Sequence, residues 1–227
     1  LDSEVIWRSV KIGVPLSLQF SLIAISTMAL QRVVNAFGSA AVAAFTATSR
    51  VEQVIHQPYQ TLSAALSTYT GQNFGARKND RVLVGYKKGM KMMLIFTLVM
   101  LIVLQFFSEH IVGFFVGEPE VLEMGAKALR ISSWFYFFLG LIYTVRGVLN
   151  GLGDSFFALY NGIIEVIGRF TVPVFLTMIP FIGLWGIWWS VGVVWFISGF
   201  TAWLRYLRMK NKLIKNDLCS DMKNPQD

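Results

Sequence analysis

Ionisable and amide side chains recur at helical spacing inside segments that are otherwise apolar. Between residues 46 and 67 they fall three or four positions apart, on one face of a helix: Thr46, Ser49, Gln53, His56, Gln57, Gln60, Ser63 and Ser67. Glu52 lies one turn before His56, at the edge of that face. A charged group at the centre of a bilayer costs about 2.5–3.5 kcal/mol, so this face must contact other helices or a wet cavity. We therefore expect Glu52, Gln53, His56, Gln57 and Gln60 to line a substrate or ion cavity.

A second polar face is predicted along residues 156–179. Asn161, Glu165 and Arg169 follow one another at four-residue spacing, so they share one side of a helix. We count all three as cavity candidates. Glu165 and Arg169 are predicted to pair, and the pair either gates a pathway or only holds helices together, as buried pairs can.

Prolines and arginines within the apolar segments are candidates for structural or gating roles. Pro58 and Pro173 each remove a backbone hydrogen bond and are expected to bend their helices. Arg50 and Arg146 place cations inside or at the ends of apolar segments. Because Glu52 is close to Arg50 and His56 in sequence, its carboxylate is either a functional cation contact or protonation site, or a neutralising partner for its neighbours.

Catalytic and metal-binding motifs are missing from the sequence. The chain has two His and one Cys, too few for a zinc site or an intrachain disulfide. Residues 71–78, GQNFGARK, invite comparison with a phosphate-binding loop but lack its spacing. We predict a protein that is not an enzyme and holds no metal or cofactor.

Composition indicates an all-α membrane protein. Of 227 residues, 55% are hydrophobic and 15% charged, with a mean hydropathy of +0.56, whereas soluble domains average about 25% charged residues. Six apolar segments approach the roughly 20 residues that span a bilayer; they are predicted at residues 12–36, 42–69, 90–107, 132–149, 156–179 and 184–207. Residues 1–11 are predicted to be a cytoplasmic linker and residues 208–227 a basic, polar cytoplasmic tail.

The distribution of charge predicts the orientation. The net charge is +7, but long apolar stretches separate the basic clusters, which argues against a nucleic-acid partner. Fourteen of the twenty Lys and Arg residues lie in segments that face one side of the predicted bundle. The positive-inside rule makes that side cytoplasmic, so we predict a multi-pass protein of the plasma membrane with both termini inside and the lipid bilayer as a partner.

Three separated motifs resemble those of the multidrug and toxic-compound extrusion (MATE) transporters. The first is GVP at residues 13–15, followed by NAFGSAAVAA at residues 35–44; the second is ALSTYTGQNFGA at residues 65–76. The third, VLNGLGDS at residues 148–155, contains Gly151, Gly153 and Asp154 and looks like the family's turn between the fourth and fifth helices. In this order they extend over nearly the whole chain.

The resemblance implies a six-helix lobe, the C-terminal one of two that surround a central cavity. The chain has no initiator Met, and residues 3–8, SEVIWR, read like a linker into a second lobe. A complete member exports small amphipathic, often cationic compounds by alternating access, in exchange for Na⁺ or H⁺. The expected partner is then an N-terminal lobe, in the same polypeptide or in a second copy.

Departures from the family pattern leave the coupling ion open. Residues 19–25 and 134–140 lack the acidic residues that some branches carry on the first and fourth helices of this lobe. Two other functions also stay open. One is a flippase for lipid-linked oligosaccharide or polysaccharide, whose anionic headgroup could contact Arg32, Arg50, Arg146 and Arg169. The other is a non-transporting scaffold or an inactive fragment.

Overall fold

The chain folds into helices joined by short turns. The computed structural model describes residues 3–223, except for the side chains of residues 5, 8, 12, 16, 20, 155, 158 and 212–223. Within that part it contains seven α-helices, one 3-10 turn and no strands. The elements are α1 Ser3–Asn35, α2 Ser39–Gly75, α3 Asn79–Gly113, α4 Pro119–Ser133, α5 Tyr136–Gly151, α6 Ser155–Thr177, the 3-10 turn Gly183–Trp185 and α7 Gly186–Lys223.

The helices extend beyond the predicted apolar segments. Most of the predicted linker at residues 1–11 belongs to α1, and α2 continues to Gly75. α3 begins at Asn79, so the basic residues Arg81, Lys87 and Lys88 lie on its first turns instead of in a loop. Helical backbone can continue through the headgroup region because it satisfies its own hydrogen bonds, and the basic side chains remain in the polar layer.

Among residues 3–223, four segments are long and apolar enough to cross a membrane: Ser9–Asn35, Asn79–Gly113, Leu159–Thr177 and Gly183–Asn211. α4 and α5, bent by 52° at residues 134–135, pass the same test together as a fifth. α2 has sufficient length, with 37 residues, but its polar face lowers its hydropathy. α2 therefore does not count as an apolar span, although a span was predicted at residues 42–69, because amide and hydroxyl side chains recur along it.

Two glycines set the turns at opposite ends of the lobe. Gly38, between α1 and α2, has φ 89°, and Gly153, between α5 and α6, has φ 83°. A side chain would be strained at such positive angles. Asp154 then caps α6 by accepting a hydrogen bond from the Phe157 backbone N at 3.4 Å. The LGD sequence thus ends one helix and starts the next.

Helix packing encloses the interior of the lobe. α1 lies mainly against α6, α2 against α5, and α7 against both α5 and α6. Buried side chains from α2, α3, α5 and α7 form the middle of the core, among them Tyr59, Met93, Tyr136 and Trp195. The outer face of α3 is apolar and exposed, as expected of a surface that contacts lipid; it carries Ile95, Leu98, Val99, Ile102, Phe106 and Phe107.

Candidate functional site

A cavity of about 530 Å³ lies between α1, α2, α5, α6 and α7. Its walls combine four charged side chains with amides, hydroxyls and large aromatic rings. The polar lining residues are Thr27, Gln31, Ser49, Glu52, Gln53, His56, Gln60, Tyr143, Arg146, Glu165 and Arg169. The apolar and aromatic ones are Ile23, Met28, Leu30, Phe45, Leu139, Ile142, Trp188, Val191 and Trp195. A volume of this order accommodates a drug-sized molecule.

Arg146 of α5 is the centre of a buried hydrogen-bonded cluster. Its Nη2 donates to Glu165 Oε1 at 2.7 Å and to Asn161 Oδ1 at 2.5 Å, both on α6. On its other side, Nε and Nη1 lie 3.1 and 2.7 Å from the side-chain amide of Gln19 on α1, which accepts both hydrogen bonds when its oxygen is turned toward the guanidinium. Three elements are therefore joined through one guanidinium, whose planar arrangement of donors suits several acceptors at once.

α7 completes this cluster. Ser198 Oγ lies 3.1 Å from Glu165 Oε1 and 3.0 Å from Asn161 Oδ1, so these two acceptors share its single hydroxyl proton. Asn161 Nδ2 donates to the Ser198 carbonyl oxygen at 2.9 Å and to Thr201 Oγ1 at 3.1 Å. The buried charged and polar atoms of this cluster have hydrogen-bond partners within it. The cluster can therefore stay buried among apolar helices.

The predicted pair of Glu165 with Arg169 is not formed. Although the two residues are four positions apart on α6, Glu165 turns to Arg146 on the neighbouring helix. Arg169 also lines the cavity, and its Nε is buried without a hydrogen-bond partner. Spacing along α6 identifies Arg169 as a possible partner for Glu165. It cannot show that Arg146, on the neighbouring helix α5, pairs with Glu165 instead.

Glu52 and His56 face the cavity from α2. Oε1 of Glu52 and Nε2 of His56 are buried and have no hydrogen-bond partner among the described residues. The His56 ring makes edge contacts with Trp195 and Tyr136, at centroid distances of 5.7 and 6.4 Å. Glu52 is thus a carboxylate of the cavity wall, next to Ser132 of α4, whose Oε1 is buried without a hydrogen-bond partner.

The other candidates from α2 divide between the cavity and the surface. Gln53 and Gln60 line the cavity, and Gln60 Nε2 donates to the Tyr143 hydroxyl at 3.5 Å. Gln57, Pro58 and Arg50 are exposed and are not part of the cavity wall. Asn161 of α6 does not line the cavity; it accepts a hydrogen bond from Arg146 behind the cavity wall. Pro173 lies in the interior of α6 and is buried.

The turn residues Gly151, Gly153 and Asp154 lie away from the cavity. Asp154 Oδ2 accepts a hydrogen bond from Arg205 Nε at 2.8 Å, which ties α7 to the start of α6. A side chain at Gly151 would lie 2.5 Å from the Ser67 carbonyl oxygen of α2. Their positions fit structural roles at the end of the lobe that carries the basic residues.

Several site residues escaped prediction. Gln19, Ser198 and Thr201 complete the buried cluster, and Tyr143, Trp188 and Trp195 form cavity walls. Gln19 and Ser198 lie in apolar helices among a few hydroxyl residues, such as Ser21 and Ser190, and neither belongs to a face as polar as that of α2. The available signal was that a polar side chain in an apolar helix needs a partner.

Comparison with known proteins identifies the family. The family model MatE matches residues 15–182, more than half of the chain. The chain belongs to the MatE family. This confirms the resemblance to MATE transporters, a family of membrane transporters and not of enzymes.

Curated relatives of this MatE chain bear names of drug-resistance proteins. It is 27% identical over 192 residues to the probable multidrug resistance protein YoeA of Bacillus subtilis (strain 168), covering 82% of this chain and 41% of YoeA. It is 24% identical over 212 residues to the probable multidrug resistance protein YpnP of the same organism, covering 90% of this chain and 46% of YpnP. The chain spans about half the length of these relatives.

A solved structure confirms the all-helical fold. An outward-facing multidrug resistance MATE family transporter of the MOP superfamily matches with a TM-score of 0.88 at 19% identity. The match covers 94% of this chain and 48% of the other. The fold is therefore that of one lobe of a two-lobe MATE protein.

Proposed function

We propose that this MatE chain is the C-terminal lobe of a secondary active transporter that exports amphipathic, often cationic compounds. Export would occur by alternating access in exchange for Na⁺ or H⁺, across a plasma membrane with both termini of the lobe in the cytoplasm. An N-terminal lobe, from the same polypeptide or a second copy, would complete the transport pathway.

The observation that carries this proposal is the cavity with Glu52 in its wall. The cavity has the size of a drug-binding site and combines aromatic surfaces with a few charged groups, as ligand sites do. A carboxylate with a buried, unpartnered oxygen can accept a hydrogen bond from a cationic substrate or take up a proton. Either event would link this site to the exchange of a cation.

The test is ethidium efflux from proteoliposomes that contain the complete protein, with and without Glu52→Gln. We expect the variant to export ethidium at least about tenfold more slowly, because one charge-assisted contact contributes about 1.5–3 kcal/mol. Glu118→Gln is the matched control, since Glu118 is exposed between α3 and α4. Undiminished efflux by a normally inserted Glu52→Gln protein would remove Glu52 from the mechanism.

The coupling ion is tested in the same vesicles. Na⁺ and proton gradients are imposed separately, with the other ion held equal on both sides and the membrane potential clamped. Antiport predicts ethidium movement against the direction of one gradient and none when that gradient is collapsed. Efflux that ignores both gradients would contradict the proposed mechanism.

A further inference from the structure

The cavity wall contains an arginine whose N–H donors make no hydrogen bonds within the described residues. Arg169, on α6, lines the wall, and within the described residues it makes no hydrogen bond and has no carboxylate at ion-pair distance. Its Nε is buried without a partner. A guanidinium has five N–H donors, and leaving a buried donor unpaired is costly. Arg169 therefore has capacity for an acceptor that this lobe does not itself supply.

The second cavity arginine is different. Arg146 donates to Glu165, Asn161 and Gln19. Glu165 is thereby neutralised by Arg146, and it accepts a further hydrogen bond from Ser198. Arg146 and Glu165 therefore pair with each other, and no ion pair joins Glu165 to Arg169.

Glu52 leaves the charge of Arg169 only partly compensated. The two side chains interact electrostatically, but they form no ion pair, and Glu52 Oε1 lacks a hydrogen-bond partner. The lining therefore contains two arginines and two glutamates, of which Arg146 and Glu165 neutralise each other. A ligand that carries an anionic group would meet a cation here that Glu52 only partly balances.

Aromatic side chains surround these charges. Trp188, Trp195, Tyr143 and Phe45 line the same cavity, and rings of this kind pack against flat apolar molecules. A guanidinium binds carboxylate, sulfonate or phosphate oxygens in a bidentate manner. We propose that Arg169 binds the acidic group of an aromatic substrate in this cavity. The inference rests on the proposed function, because it assigns a substrate class to the transport cavity.

The test compares two probes of the same shape. Binding of 1-naphthoate and of the uncharged 1-naphthamide to the complete protein is measured by equilibrium dialysis, in nanodiscs of phosphatidylcholine. We expect the wild-type protein to bind 1-naphthoate at least about tenfold more tightly, which is about 1.4 kcal/mol from one charge-assisted contact. Equal dissociation constants for the two probes would overturn the inference without the need for any variant.

Variants then locate the contact. Arg169→Gln should abolish the preference for 1-naphthoate while 1-naphthamide binds as before, and Arg169→Lys should keep part of the preference. Arg50→Gln is the matched control, because Arg50 is exposed and outside the cavity wall. Glu52→Gln should tighten 1-naphthoate binding by removing the facing carboxylate. A preference that survives in Arg169→Gln would overturn the assignment.

The lipid composition of the nanodisc distinguishes two possible ligands of Arg169, a soluble anion and an anionic lipid headgroup. In nanodiscs that contain phosphatidylglycerol, unchanged 1-naphthoate affinity indicates a soluble anion, whereas a drop confined to proteins with Arg169 indicates an anionic headgroup at the same site. The efflux assay separates this inference from the transport proposal. Ethidium export without a 1-naphthoate preference overturns only the inference, and the preference without export of any compound overturns only the transport proposal.

Discussion

At the scale of the residue, the two arginines of the cavity show how partners determine a side chain's contribution to stability. Arg146 is 11% exposed and its partner Glu165 6%, so both charges depend on each other and on Gln19, Asn161 and Ser198. Removal of one partner from a buried pair leaves the other charge unpaired and costs about 3–5 kcal/mol. Arg169 has no such hydrogen-bonded partners; it interacts electrostatically with Glu52 but forms no ion pair with it.

We therefore expect Arg146→Met to lower the free energy of unfolding by about 3–5 kcal/mol, and Arg169→Met to leave it nearly unchanged. Met keeps the apolar stem of either arginine, so the comparison isolates the guanidinium. Thermal unfolding in the same detergent ranks the two variants. Equal unfolding midpoints would contradict the difference in hydrogen bonding.

At the scale of the element, α2 and α5 approach closely through glycines. A side chain at Gly147 would lie 2.5 Å from the Ser63 carbonyl oxygen, and one at Gly151 would lie at the same distance from that of Ser67. The two glycines are one turn apart on α5, a spacing of small residues that allows membrane helices to pack backbone against backbone. This contact holds α2, which supplies Glu52 and His56, against α5, which supplies Arg146.

Gly147→Ala should destabilise the lobe by about 1–3 kcal/mol, because the added methyl group meets the backbone of α2, which has no flexible end that could move away. The measurement is the thermal unfolding midpoint, followed by the yield of monodisperse protein. Gly75→Ala is the control, since a side chain there meets nothing within 4 Å. If both alanines leave the midpoint unchanged, the helices separate more easily than their packing indicates.

At the scale of the whole molecule, the turns and the charges define two ends. The turns at residues 76–78 and 152–154 lie at one end, near the basic residues of α3 and the pair of Arg205 with Asp154. The turns at residues 36–38, 114–118 and 178–185 lie at the other. By the positive-inside rule, we propose that the first end faces the cytoplasm.

Cysteine labelling of intact cells tests this orientation. In a background without other cysteines, Glu118→Cys should react with a membrane-impermeant maleimide added outside, and Lys78→Cys should react only after the cells are opened. Both positions are exposed, so a difference in labelling reports the side of the membrane. Labelling of Lys78→Cys in intact cells would reverse the proposed topology.

The sequence by itself determined the features that depend on local chemistry. Apolar runs of membrane-spanning length predict an all-helical membrane protein. The turn at residues 150–154 follows from Gly153, which tolerates a positive φ, and from Asp154, whose carboxylate caps the next helix. The polar face of α2 predicts that Glu52, Gln53, His56 and Gln60 line a substrate or ion cavity, because amide and charged groups at membrane depth require partners or water. In the structure these four side chains are part of one cavity wall.

Only the tertiary structure decided which of these side chains meet. Glu165 had a possible partner four residues away, yet it pairs with Arg146 because the crossing of α5 and α6 brings that guanidinium to the carboxylate together with Asn161 and Ser198. Gln19 and the aromatic walls enter the site for the same reason. Spacing along one helix fixes a face, whereas contacts between helices depend on packing across the chain. That packing is what leaves Arg169 in the cavity without a partner.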